Sequence, residues 1–211
     1  MSGPVAALPL SHRFHDGAPD APVLLLLHGT GGGPGDLLGL GRELSPRSAL
    51  LAPAGPVSEF GAARWFRRLA EGVFDFEDVV KQSRRLAGFI RAARYRYALD
   101  DRRLVAVGFS NGANIAAATL LLHPEALREA VLFSAMSPLP DPPDTDLAGT
   151  RALLANGRRD PMAPLDSSEG LVRELTARGA AVTTAWHPGG HTITPSGRTA
   201  ARAWIAEGAG G

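Results

Sequence analysis

The chain of 211 residues contains no cysteine. That absence excludes disulfides, zinc–thiolate sites, iron–sulfur clusters and a cysteine nucleophile together. Lysine is nearly absent too: of 22 basic residues only Lys81 is one, which disfavours Schiff-base chemistry and leaves a single lysine for any phosphate-binding loop. No charge sign dominates, since 21 acidic residues bring the formal charge to +1, and no strong field invites nucleic acid or an anionic membrane. Long hydrophobic runs are missing as well. The longest core-like run covers 23–27, far short of a membrane span. The apolar stretch at 4–10 is broken by Pro9 and has no basic residues before it, unlike a secretory signal, so a cytoplasmic protein is expected.

What is present is enough for one full core. A chain of this size buries about 70% of its extended surface on folding, and a single domain over 1–211 is expected. The 25 glycines and 17 prolines are spread without a period, which indicates many turns and no low-complexity linker. Short apolar runs at 23–27, 49–52, 104–107, 130–133, 152–155 and 182–186 read as strands apolar on both faces, the pattern of a parallel sheet covered by helices on each side. Amphipathic stretches at 35–44, 75–97, 113–122, 165–177 and 196–207 alternate with them as helices. Thr194 is placed to cap the last of these and Pro195 suits its first turn. The alternation gives a doubly wound, mostly parallel α/β sheet flanked by helices, with residues before Asp20 as a candidate antiparallel edge.

Ligands of such sheets bind outside the carboxyl ends of the strands, so the residues after each strand are where chemistry is sought. Gly108-Phe109-Ser110-Asn111-Gly112 fits G-x-S-x-G, the sharp strand-to-helix turn that lifts a serine hydroxyl above the sheet. Its position between the run at 104–107 and the helix at 113–122 supplies the confirming context; a serine that merely caps a helix is the alternative. A serine needs a base to take its proton, and the base needs a partner to fix its tautomer. Of six histidines, His187 and His191 follow the last strand. His191 is favoured because Pro188-Gly189-Gly190 forms a flexible lead-in. Asp160 lies after its strand and between Ser110 and His191, the chain order this turn requires; Asp141, Asp144 and Asp146 are its rivals, in a Pro-rich setting that reads as surface loop.

Backbone donors for a developing oxyanion are expected from Asn111, at a helix N-terminus, and from Thr30 in the Gly-rich turn after Leu27. His28 then shapes that turn. Neither G-x-G-x-x-G nor G-K-[ST] is completed anywhere, so a nucleotide site is disfavoured. Pro188 and two glycines deny His187 and His191 a helical face, so no metal or other cofactor is expected. The arginines Arg84, Arg85, Arg91, Arg94 and Arg96 read as a solvated helix face. The long connection 53–72 holds Arg64-Trp65-Phe66-Arg67-Arg68; connections of that length are often pocket walls. Trp65 and Phe66, with Met136 after the fourth strand, are candidate substrate contacts. A place in the core under the loop is the alternative for the two aromatics.

The segments His28-Gly-Thr-Gly-Gly32, Arg64-Trp-Phe-Arg-Arg-Leu-Ala-Glu-Gly-Val-Phe-Asp75, Gly108-Phe-Ser-Asn-Gly-Ala-Asn114, Asn156-Gly-Arg-Arg-Asp-Pro161 and Gly190-His191 resemble the phospholipase/carboxylesterase family of α/β-hydrolases, over about residues 20–205. The resemblance implies Ser110 as nucleophile, Asp160 as acid, His191 as base and Thr30 and Asn111 as oxyanion donors, with no cofactor. Thioesterase relatives usually carry glutamine after the nucleophile, whereas this chain has Asn111. That departure is more similar to the small bacterial carboxylesterase branch, some of whose members accompany hydroquinone-degrading enzymes, and it disfavours acyl-protein substrates. The expectation is a cofactor-independent serine esterase of small to medium esters, monomeric or homodimeric and without a separate lid domain. Thioester, lysophospholipid or carbon–carbon bond hydrolysis with the same triad is an alternative, and a binding protein with a dead site is the non-enzyme one.

Overall fold

The computed structural model describes residues 8–70 and 72–208; part of the apolar stretch at 4–10 falls outside them. In chain order the elements are β1 (His12–His15), β2 (Val23–Leu27), α1 (Leu38–Leu44), β3 (Ala49–Pro53), β4 (Val57–Glu59), β5 (Ala62–Arg64), β6 (Arg68–Ala70), β7 (Val73–Phe74) and α2 (Phe76–Arg96). They continue with β8 (Leu104–Phe109), α3 (Asn111–Leu122), β9 (Glu129–Phe133), β10 (Arg151–Ala155), α4 (Leu165–Ala177), β11 (Ala181–Thr184) and α5 (Pro195–Glu207). Seven strands form one sheet in the order β1-β3-β2-β8-β9-β10-β11. Every pairing in it is parallel except β1 with β3, where His12 faces Pro53 and His15 faces Leu50. The antiparallel edge expected before Asp20 is therefore present.

The apolar strands separate their side chains by parity, because successive residues of a strand point to opposite faces. Leu24, Leu26, Val105, Val107, Val131 and Leu153 join Leu38, Trp204 and Ile205 of α1 and α5 in one buried cluster. Leu25, Leu27, Ala106, Leu132 and Leu154 join Phe89, Ile90, Leu171 and Leu175 of α2 and α4 in the other, together with most of α3. Both faces are covered, which is why β2 is fully buried along its length. Chain direction across the sheet reverses between β2 and β8, since β3 lies to one side of β2 and β8, β9 and β10 follow on the other. Such a switch point opens a crevice at the carboxyl ends of the two strands.

Three expectations change. The helix anticipated over 35–44 starts at Leu38. Asp36 instead accepts a hydrogen bond from the Gly33 N–H at 3.2 Å, so its side chain serves a turn that precedes the helix. The run at 182–186 is not a strand buried on both faces. β11 ends at Thr184 and is largely exposed, because it closes the sheet and pairs only with β10. The connection 53–72 is structured, as two small hairpins, β4 with β5 and β6 with β7. The first turns through Phe60 and Gly61 at φ 50° and 82°, the two positive φ values that a two-residue hairpin turn requires. Between the hairpins, Trp65 and Phe66 sink into the core at 1% and 0% exposure.

Helix ends follow their caps. Asp75 accepts from the Asp78 N–H at the start of α2, and Thr194 accepts from Gly197 with Pro195 in the first turn of α5. Among the described residues no helix is long and apolar enough to cross a membrane.

Candidate active site

β8 ends at Phe109, and the chain reverses at once into α3. Ser110, at the turn, has φ 54° and ψ −118°, a conformation L-residues seldom adopt and one often kept at functional sites. The glycines on either side are required sterically. A Cβ on Gly108 would lie 2.6 Å from the Gly112 carbonyl oxygen, and one on Gly112 would overlap the Leu27 carbonyl of neighbouring β2. The Ser110 N–H donates to the Phe133 carbonyl at 2.9 Å, which ties the turn to β9.

Ser110 Oγ lies 2.9 Å from His191 Nε2, and His191 Nδ1 lies 2.7 Å from Asp160 Oδ2. Asp160 is buried. Its Oδ1 accepts from the backbone N–H groups of Met162 and Ala163 at 2.8 and 3.0 Å, so the carboxylate is held from both sides. An acceptor that only accepts from Nδ1–H leaves Nε2 as the free acceptor for a hydroxyl proton. Phe109 packs on the imidazole at 5.1 Å between ring centres.

The glycines before His191 have a different use from the flexibility expected of them. The Gly189 carbonyl accepts from the Arg159 N–H at 3.0 Å, the His187 carbonyl accepts from Arg158 at 2.8 Å, and a Cβ on Gly157 would overlap the Gly189 and Gly190 carbonyls. The loop carrying Asp160 and the loop carrying His191 are thus zipped by their backbones, which fixes acid and base relative to each other. His187 is buried, and its Nδ1 accepts from the Gly189 N–H. Asp141, Asp144 and Asp146 are exposed.

The turn after β2 faces Ser110 across the crevice. His28 is buried; its Nε2 accepts from the Gly55 N–H at 2.9 Å, so Nδ1 carries the proton and donates to the Gly29 carbonyl at 2.7 Å. That bond curls residues 28–30, and Gly31 is anchored by its N–H to the Ala63 carbonyl at 2.8 Å. Among the described residues, no hydrogen bond claims the backbone N–H of Thr30 or of Asn111, and both residues line the same cavity as Ser110. The side chains behind them are tied together. Trp65 donates its indole N–H to the His28 carbonyl at 2.9 Å and its backbone N–H to Asn111 Oδ1 at 2.7 Å, and Arg64 Nη1 donates to Thr30 Oγ1 at 3.0 Å.

The cavity over Ser110 has a volume of about 210 Å³. Met136 is among the residues that line it. Trp65 and Phe66 are not, and their candidacy as substrate contacts gives way to a core position from which Trp65 braces the turn. Residues that sequence reasoning passed over line it instead: Arg64, Arg68, Asn114 and Ser134. Ser134 was detectable as the first residue beyond β9; it sits at φ 52° with a buried hydroxyl lacking a hydrogen-bond partner. Asn114 was detectable as one helical turn beyond Ser110. Among the described residues no group of three or more metal-ligating side chains is found.

The family model described as serine hydrolase (FSH1) matches residues 70–203. The Bacillus subtilis protein named "Putative hydrolase MhqD" is 41% identical over 94% of this chain and 98% of its own. The chain belongs to the serine hydrolases. A carboxylesterase from Bacillus cereus is similar to this hydrolase in structure, with a TM-score of 0.89 and 40% identity over 92% of each chain. A protein of unknown function from Agrobacterium tumefaciens follows with a TM-score of 0.86 and 39% identity over 94% of this chain and 97% of its own. The serine hydrolase described here accordingly has the α/β-hydrolase fold of the phospholipase/carboxylesterase family and is a carboxylic ester hydrolase.

A second cavity of about 310 Å³ shares Gly72, Phe74 and Met136 with the first and reaches Glu174. Burial pushes the Glu174 carboxyl above its ordinary range, against the opposing hydrogen bond from Ser137. A carboxyl raised in the folded state adds stability below its unfolded pKa of 4.5, and that contribution is lost as the pH rises through the folded value. Glu174→Gln, which keeps an acceptor for Ser137, is therefore expected to stabilise the hydrolase at pH 8 relative to its effect at pH 4. Urea midpoints of both proteins at the two pH values measure this; equal shifts at both would contradict it.

Proposed function

We propose that this hydrolase cleaves small to medium carboxylic esters through an acyl-enzyme on Ser110, with His191 as general base and acid and Asp160 as the group that orients it. The observation carrying the reading is the continuous hydrogen-bonded chain from Ser110 Oγ through both nitrogens of His191 to Asp160, at 2.9 and 2.7 Å, at the mouth of the crevice between β2 and β8.

In the first half-reaction Ser110 Oγ attacks the ester carbonyl carbon while His191 Nε2 takes the hydroxyl proton. Negative charge gathers on the carbonyl oxygen, which the N–H groups of Thr30 and Asn111 receive; one such donor is typically worth about 10²–10³ in rate. Collapse of the tetrahedral intermediate breaks the bond to the alcohol oxygen, and His191 returns its proton to the leaving alkoxide. Water then gives a proton to the same nitrogen as it attacks the acyl carbonyl, and collapse of the second tetrahedral intermediate breaks the bond to Ser110 Oγ, which takes that proton back from His191 as the acid leaves. Asp160 stays ionised throughout and stabilises the imidazolium that forms at each stage.

The cavity volume supports short substrates, since drug-sized ligands occupy about 300–1,000 Å³ and this one offers about 210 Å³. With p-nitrophenyl esters and matched thioesters, kcat/KM is expected to be greatest for acyl chains of about two to six carbons and to fall beyond about eight, with oxygen esters ahead of thioesters. A maximum at long chains, or thioesters ahead, overturns this assignment.

A further inference from the structure

Two guanidinium groups enter the cavity over Ser110 and share a single carboxylate. Arg64 is 4% exposed and lines the cavity beside Thr30 and Ser110. Its Nε donates to the Phe66 carbonyl at 3.1 Å and lies 3.2 Å from Glu59 Oε2, and one Nη1 hydrogen goes to Thr30. Arg68, one-third exposed, donates its Nε to Glu59 Oε1 at 3.0 Å. Both arginines thus spend their Nε edges on Glu59 or the backbone. No hydrogen bond among the described residues claims Arg64 Nη2, or either Nη of Arg68. Arg64 Nη2, without a partner, is not fully buried, and Arg64 is one of the residues that line the cavity.

The charges fit this layout. Two positive groups against one Glu59 leave an excess of one positive charge among the described residues of the wall, and none of the described residues that line the cavity carries a carboxylate. Burial also pulls the Arg64 guanidinium below its ordinary pKa, with Arg68 nearby acting in the same direction. A buried cation short of a counter-ion is costly, and an incoming monoanion relieves that cost. The exposed edges of a guanidinium match the two oxygens of a planar carboxylate, and a single excess charge matches a carboxylate better than a phosphate dianion.

We infer that Arg64 and Arg68 form a carboxylate-recognition subsite, so that the favoured substrates are esters carrying a free carboxylate a few carbons from the scissile bond, such as half-esters of short dicarboxylic acids. This rests on the esterase reading of the same cavity. Arg64 also holds Thr30, so its replacement disturbs the turn itself. Arg68 makes no such bond and separates recognition from scaffolding.

The test compares monoethyl glutarate with ethyl pentanoate, which differ by a terminal carboxylate in place of a methyl group. The wild-type ratio of kcat/KM, half-ester over neutral ester, is expected to be about tenfold or more, the equivalent of one charge-assisted hydrogen bond. Arg68→Gln brings that ratio towards one, and Arg68→Glu takes it below one. Binding is read independently of turnover by titrating Ser110→Ala protein with glutarate and with pentanoate. Tighter glutarate binding, lost in Ser110→Ala/Arg68→Glu, supports the subsite. Equal kcat/KM for the two esters with equal binding of the two acids overturns it and leaves the esterase reading standing. If neither ester is hydrolysed, that reading fails, and the titration alone decides the subsite.

Discussion

Replacing Ser110 by alanine is expected to lower kcat for ester hydrolysis by about 10⁴-fold or more while leaving the fold intact. The magnitude follows from the layout of the site. Removing the hydroxyl removes the only group whose proton His191 Nε2 receives at 2.9 Å, so attack must fall to water positioned by the remaining donors. What survives is the binding and oxyanion contribution, a residual about 10³–10⁴ over the uncatalysed reaction in other serine hydrolases. The φ of 54° at position 110 is imposed by the reversal between β8 and α3, and alanine meets the same constraint as serine. Circular dichroism and the urea midpoint of Ser110→Ala should therefore match the parent. Activity within about tenfold of the parent would mean that another residue supplies the nucleophile.

The second large effect is on folding. Gly112→Ala is expected to yield no stable native protein, because the added Cβ runs into the carbonyls of Leu27, the last residue of β2, and of His28 just after it. Overpacking against movable side chains costs about 1–3 kcal/mol. Here the obstacle is backbone in the middle of the sheet, at the pairing of Leu27 with Gly108, and relief requires parting β2 from α3. That cost takes up a large part of the roughly 5–15 kcal/mol by which domains are stable. The control is Gly88→Ala in α2, where an added Cβ meets nothing within 4 Å. It is expected to raise stability by about 0.5–1 kcal/mol, since alanine is the better helix former. Soluble Gly112→Ala protein with a parental urea midpoint would contradict the close approach of turn and strand.

The parts of the molecule legible in the sequence are those where one residue type answers one physical demand. Val23–Leu27 reads as a buried strand because every position is apolar. Gly108 and Gly112 announce a turn with no room for a Cβ, and the serine between them is then the half-buried residue at its tip. Asp160 and His191 are found from chain order once the strands are known. Positions set by long-range packing are less legible. Trp65 and Phe66 occupy a segment with no helical or strand period, so nothing in the local pattern tells a pocket wall from a core plug. Their burial depends on β2 and α3, which are far away in sequence. The same holds for Arg64 and Arg68: five residues in a row carry three arginines and two aromatics, and only the two hairpins decide which charges turn towards Ser110. β11 misled in the opposite sense, because the apolar content of 182–186 does not reveal that the strand closes the sheet.

The central claim is that Ser110 is an activated nucleophile. Its most direct measurement is the intact mass of the protein after exposure to a fluorophosphonate, with peptide mapping of the product. The account predicts one adduct per chain, on Ser110, formed at a rate that falls steeply in Asp160→Asn, where the His191 imidazole loses the acceptor that fixes its tautomer. An unmodified chain, or an adduct on any other residue, would contradict it.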